Sequence, residues 1–252
     1  MTCDEIVIVR GRPADYGALS RFHYRAGKPG PCVYALSAVD EVTGELAGVL
    51  TVSMPTLNGP WRPVAWPHVF GRGALPEQRE RKRETARRLN GFVRTISRVV
   101  VDPRYRGLGV ARRLVAAYLA EPLTCCTEAL ASMGRWCPFF ERAGMREVER
   151  PRTGRETRLR VSLRRLAIEP WELMDVDRAA SVVRGSPKLC ERLATWASYS
   201  SATRPLLAAR GQEEIEVLGA LAVIAAASLE AGPVVYVHGD VSEAELARLS
   251  NT

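Results

Sequence analysis

The chain has 252 residues with 36 Lys and Arg against 28 Asp and Glu, a net charge of +8 and a sequence pI of about 9.5. Hydrophobic residues make up 46% and charged residues 25%, which excludes a disordered tail, a collagen-like fibre and a coiled coil and leaves one or two globular domains. The longest nearly uncharged apolar run, Val217 to Leu229, is too short for the roughly 20 residues a membrane helix needs, and the opening MTCDEIVIVRGRP lacks the basic region and cleavage site of a signal peptide. The expected location is the cytoplasm, with no membrane contact.

In chain order, Ile6 to Val9 reads as a strand. Pro13 opens a helical stretch through His23 and Tyr24 that Gly27 and the Pro29-Gly30-Pro31 cluster end. Cys32 to Val39 and Leu46 to Ser53, around turn residues Asp40 to Gly44, predict an antiparallel hairpin. Residues 54–92 read as an insertion, a Pro/Trp-rich loop containing Trp61 and Trp66 followed by a basic helix over Leu75 to Asn90. The run Arg79 to Arg88 has net charge +4, which fits either a solvated helix face with Glu/Arg pairs or a face for nucleic-acid phosphates. Aromatic residues are not interleaved there, so a stacking platform for single strands is not indicated.

A β-branched strand ending in Val99-Val-Val-Asp-Pro103 follows, then a glycine turn, a helix over ARRLVAAYLAEP and a strand over Leu123 to Ala131. CPFFERAGM reads as a short helix closed by Gly144, and Arg146 to Glu149 with Thr157 to Leu163 as a second hairpin. After Arg165 the pattern is helical over Pro170 to Arg184, Pro187 to Ser198 and Glu213 to Leu229, with VVYVHGD as one late strand. Residues 1–165 carry a net charge of +13 and residues 166–252 a net charge of −5, which suggests a basic ligand-binding domain and an acidic appendage. The six cysteines form no C-x-x-C pair and have no histidine at ligand spacing, so reduced thiols are expected and no metal site is assigned.

The segment that carries chemistry is Arg106-Gly107-Leu108-Gly109-Val110-Ala111. A strand running through two glycines into a helix presents successive backbone N–H groups, unobstructed by side chains, at the positive end of the helix dipole. That arrangement cradles a pyrophosphate. A dinucleotide fingerprint would need a third glycine where Arg112 stands, and a Walker A loop would need a terminal G-K-[ST]; neither is present.

Arg106, Gly109 and Ala111 match the [Q/R]-x-x-G-x-[G/A] signature of the GCN5-related N-acetyltransferase (GNAT) superfamily, which the chain resembles from about Ile6 to Leu163. The resemblance implies a three-layer α+β fold with a mostly antiparallel central sheet, and acetyl-CoA as acyl donor. VVVDP is similar to the superfamily's fourth strand, whose backbone, here at Val99 and Val101, pairs with the pantetheine arm. Arg106 to Ala111 would bind the pyrophosphate. CPFFERAGM resembles the helix that follows, but Phe140 stands where many members place a tyrosine general acid, so another acid or solvent must serve.

Acyl transfer to an amine needs a base for the amine proton. His23 and Tyr24 are the candidates, because in this superfamily the end of the first helical segment borders the acceptor site and histidine titrates near neutral pH. Tyr105, Asp102, Glu128 and Cys137 are lesser candidates. FHYRAGKPG together with the basic helix is also similar to superfamily members found beside ABC-type ATPases and to Mom-type DNA-modifying proteins, which would imply chemistry on a nucleic-acid base. Three readings follow: an N-acyltransferase acting on an unidentified small or macromolecular amine, a nucleic-acid-modifying transferase, and a non-catalytic acyl-CoA-binding module.

Overall fold

The computed structural model describes residues 5–23, 30–76, 78–199, 203–208, 214–230 and 232–250. The chain divides into two compact units, Met1–Arg150 with Pro233–Thr252, and Pro151–Gly232.

The first unit begins β1 (Ile6–Arg10), α1 (Pro13–Leu19) and a 3-10 turn over Ser20–Phe22, then β2 (Cys32–Asp40) and β3 (Leu46–Ser53). Proline at the first position of α1 suits the helix start, and the Asp15 carboxylate accepts from the Arg12 N–H at 2.8 Å and the Ser37 hydroxyl at 2.8 Å. Two four-residue helices, α2 (Arg62–Ala65) and α3 (Pro67–Phe70), interrupt the Pro/Trp loop before α4 (Gln78–Phe92). Then come β4 (Val93–Val101), a 3-10 turn over Pro103–Tyr105, α5 (Val110–Ala120), β5 (Cys126–Ala131), α6 (Phe139–Arg142) and β6 (Arg146–Val148).

The sheet has seven strands in the order β1-β2-β3-β4-β5-β7-β6, where β7 is Val234–His238; only β4 and β5 run parallel. Side chains alternate across a strand, so each face buries its own set. One face lays Leu36, Leu50, Val52 and Ile96 against Val110, Leu114 and Tyr118 of α5. The opposite face packs Val49 and Val100 on Tyr16 and Leu19 of α1, and Val93, Val235 and Val237 on Trp61, Trp66 and Phe70 of the insertion. The result is the three-layer, mostly antiparallel α+β architecture expected.

Several expectations fail. Thr157 to Leu163 is not a strand: residues Gly154–Arg165 form helix α7. Thr153 and Glu156 make a capping box, with the Glu156 carboxylate accepting the Thr153 N–H at 2.8 Å, and Leu159 and Leu163 are buried one turn apart. The partner of β6 is β7, which arrives from the far end of the sequence. The helical region is therefore an insertion between β6 and β7, beginning at Pro151 and not at Leu166, and the chain returns to the sheet at Pro233. Counted on these boundaries residues 151–232 hold 12 basic and 10 acidic side chains, so the inserted unit is not acidic.

That unit comprises α7, a 3-10 turn over Pro170–Met174, α8 (Val176–Gly185), α9 (Pro187–Ser198), α10 (Arg204–Ala208) and α11 (Glu214–Glu230). The single helix expected over Pro170 to Arg184 breaks at Asp175, whose carboxylate caps α8 by accepting the Arg178 N–H at 2.7 Å. Leu159, Leu163, Leu173, Leu189, Leu193, Trp196 and Leu221 give the unit a core of its own. After β7 the chain closes with α12 (Glu243–Ser250). Among the described residues no helix is long and apolar enough to cross a membrane.

Candidate active site

The site follows from the way β4 and β5 part. Their pairing covers Val93 to Ile96 against Cys126 to Ala129, after which β5 continues on β7 as far as Ala131 opposite Val234. On the other edge β3 stays with β4 to Val101, and the register steps from Arg98 opposite Thr51 to Ile96 opposite Val52. Ser97 is the extra residue of a β-bulge, a feature that bends a strand and increases its twist. The Asp102 N–H donates to Ala47 O at 3.0 Å. Because backbone groups alternate along a strand, those of Val101 and Val99 turn away from β3, toward the fork.

The glycine turn lies just beyond. Gly107 and Gly109 have φ of 85° and 76°, and a Cβ at either would meet nothing within 4 Å. Glycine is required for its backbone, and the outer side of the turn stays open. Gly109 caps α5, whose first internal bond runs from the Arg113 N–H to Gly109 O at 3.1 Å, so the N–H groups before it have no acceptor within the helix. Arg104, Arg106 and Arg112 are exposed around this turn. Such a donor set fits a pyrophosphate.

Buried polar groups hold the turn in place. Tyr105 has no exposed surface and donates its hydroxyl to Asp40 at 3.0 Å and to Glu45 at 3.3 Å, tying the turn to the β2–β3 hairpin. Asp102 accepts from the Arg104 backbone N–H at 2.9 Å and from its guanidinium at 3.1 Å. The Arg104 side chain holds the Asp102 carboxyl below the usual carboxylate range, against the opposing effect of burial. Both residues brace the cradle.

The end of the α1 segment reaches the same place. The Arg106 guanidinium donates to Val101 O at 3.3 Å and to Phe22 O at 3.5 Å, bridging the last turn of β4 to the residue before His23. His23 is half-buried, with its N–H on Ser20 O at 3.0 Å. Tyr24 lies outside the described residues. Phe140 is buried in the core, stacked on Tyr236 with ring centroids 5.4 Å apart. Cys137 is an exposed free thiol.

On the face of the sheet that carries α1, the bulge residue Ser97 shares hydrogen bonds with Thr51 at 3.0 Å and Ser53 at 2.8 Å, and Ser53 donates to Gly30 O at 3.2 Å. Next to them, opposite Thr95, Glu128 is 1% exposed and fully engaged. Its Oε1 accepts from Arg62 at 2.7 Å and Thr95 at 2.9 Å, and its Oε2 from Arg62 Nε at 2.9 Å and Trp61 Nε1 at 2.9 Å. With every acceptor position used, Glu128 latches the insertion to the fork and is not a free base. Since Ser53 and Glu128 both stand opposite Thr95, on either side of β4, residues 54–62 arch over that strand.

Residues 11–145 match the family model described as Acetyltransferase (GNAT) family, and that stretch is more than half of the chain. The chain belongs to the GNAT acetyltransferase family. Its members use acetyl-CoA as donor, so the chain is an acetyltransferase by descent, and the matched stretch ends just before β6. No curated protein matches the chain. Among solved structures, one reported as the crystal structure of SsHAT is 18% identical and is matched over 58% of this chain and 94% of that chain. Its TM-score is 0.34.

The residues expected to form the cradle, Arg106, Gly107, Leu108, Gly109, Val110 and Ala111, lie together at the helix start, with Val99 and Val101 on the strand that leads to it. His23 comes beside them through Phe22 and Arg106. Sequence reasoning missed the bulge at Ser97, the Thr51-Ser97-Ser53 chain and the Arg62–Glu128 pair. No local pattern signals them, because each depends on register between strands far apart in sequence.

Proposed function

We propose that the chain transfers an acetyl group from acetyl-CoA directly to an amine. The observation that carries this reading is the pair of left-handed glycines at the start of α5 beside the free edge of β4 at Val99 and Val101. Bound acetyl-CoA supplies a thioester carbonyl. In this reading the α5 N-terminus and Arg106 hold the pyrophosphate, and the outward backbone of Val99 and Val101 pairs with the pantetheine arm. The bond from amine nitrogen to carbonyl carbon forms as the carbon–sulfur bond breaks. His23 takes the surplus amine proton, and since Phe140 carries no hydroxyl the thiolate is protonated from solvent.

Calorimetric titration with acetyl-CoA tests the reading, with saturable one-site binding expected and no binding overturning it. His23→Ala should lower turnover at least about tenfold with acetyl-CoA affinity unchanged, the range of a lost general base; an unchanged rate removes His23 from the chemistry.

A second reading, modification of a nucleic-acid base, is favoured by α4, which leads directly into β4 and exposes Lys82 and Arg83. A salt series of binding to duplex DNA tests it, because phosphate contacts make affinity fall steeply with ionic strength. Weak binding without that slope leaves the small-amine reading alone.

A further inference from the structure

Arg98 follows the bulge on β4, directly opposite Thr51. It lies on the same face as Val100, which packs on α1, and therefore on the face that carries the Thr51, Ser53 and Ser97 hydroxyls. The side chain is half-buried, its Nη1 donates to Ser97 O at 2.7 Å, and among the described residues its buried Nε has no acceptor. Among the described residues no carboxylate lies within ion-pairing distance. The contrast with Arg62 is direct: that guanidinium, on the same side of the sheet, is satisfied by Glu128. A guanidinium partly withdrawn from water gains from a counter-charge, and its planar fork matches the oxygens of a carboxylate or phosphate.

We infer that the amine acceptor also carries an oxyanion, a carboxylate or a phosphate, and that Arg98 binds it on the face that carries the Ser97, Ser53 and Thr51 hydroxyls. This rests on the acetyl-transfer reading for its setting at the fork. It adds a selection rule: the substrate is a small acid-bearing amine, held by its anion on the α1 side of β4 while its amine faces the thioester. Arg98 acts in recognition, and its loss should appear in the acceptor and not in acetyl-CoA.

Matched amines test this. Lysine against cadaverine, phenylalanine against phenethylamine and phosphoethanolamine against ethanolamine differ within each pair only by the anion. With acetyl-CoA as donor, the acid-bearing member should be favoured by at least about tenfold in kcat/KM, the size of a lost charge-assisted hydrogen bond. Arg98→Gln should erase that preference and leave the KM for acetyl-CoA unchanged. The carboxylate and phosphate pairs tell which anion is used; preference for the acid-free members overturns the inference.

A second arm needs no turnover. Inorganic phosphate is titrated into the wild type, Arg98→Gln and Gly109→Trp, with and without saturating CoA. The site at the bulge predicts phosphate binding that Arg98→Gln removes and that persists both in Gly109→Trp and in the presence of CoA. Phosphate binding indifferent to Arg98 overturns the inference while CoA binding leaves the acetyl-transfer reading intact. Arg98-dependent phosphate binding in a protein that takes no CoA does the reverse. Duplex DNA bound through Arg98 in place of free phosphate would overturn the small-acceptor assignment.

Discussion

At its C-terminal end β4 meets a cradle made from one continuous stretch, Val99 to Arg112, while near Thr95 and Ser97 it is surrounded by β3, β5, the insertion and the segment after α1. In the proposed reading the cradle works through backbone: two glycines, a helix start and a bend that only they permit. The fork works through side chains from distant segments, a buried ion pair on one side and hydroxyls with an uncompensated arginine on the other. A feature of the donor that never varies, the pyrophosphate, can be met by fixed backbone geometry. In the proposed reading the acceptor is met by side chains, which can be replaced without moving the strand.

The sharpest way to break this contrast is at the cradle. Gly109→Trp should abolish acetyl-CoA binding in calorimetry, a loss of at least about 100-fold. The residue occupies a left-handed conformation, so part of any effect is strain of about 1–2 kcal/mol that a Cβ brings there. Gly109→Ala carries that strain with one methyl group and separates the two. A loss with Ala as large as with Trp would mean that backbone strain, not access to the N–H groups, governs the site.

The next effect belongs to the fork. Glu128→Ala leaves Arg62 buried without its partner and should cost about 3–5 kcal/mol in urea unfolding. Glu128→Gln, which retains acceptor and donor atoms, should cost less. In whatever fraction stays folded, acetyl-CoA affinity should match the wild type, because the latch fixes the insertion and touches nothing in the glycine turn. A parallel loss of CoA affinity would show that the two ends of β4 are not independent.

The strand, glycine turn and helix were readable in the sequence because their requirements are local: glycine where φ is positive, a β-branched strand before it and a helix after it. The first five strands were readable for the same reason, since alternation and turn residues specify Cys32–Asp40 and Leu46–Ser53, while the three-layer architecture came from the family resemblance. The second hairpin failed because Thr153-Gly-Arg-Glu156 is a helix-capping pattern, and it starts a helix where the short alternating run after it suggests a strand. Once that stretch became helix, β6 needed another partner, and periodicity holds no information that Val148 pairs with Val235. The boundary at 165 failed with it, and the apparent acidity of the last third came from counting α7 with the wrong unit. Glu128 was singled out as an acid or base from its type alone; only the register that sets it opposite Thr95, with Arg62 and Trp61 arriving from the loop, reveals a structural role.

The smallest effect bears on how the cradle is braced. Asp102 is held below the ordinary carboxylate range by the Arg104 guanidinium and backbone N–H, with burial pulling the other way. A carboxylate with a lowered folded-state value binds fewer protons folded than unfolded, so it favours folding wherever the unfolded chain would also be ionised. Its contribution should be complete above about pH 5 and fade as pH falls below about 4, through the lowered value. Thermal unfolding of the wild type and Asp102→Asn across that range should show a stability gap that is constant near neutrality and closes in acid. Arg104 is 59% exposed, so solvent screens the pair and the gap should be small. A gap that stays open at low pH would assign the bracing to hydrogen-bond geometry at the strand end, which Asn also disturbs, and not to the charge.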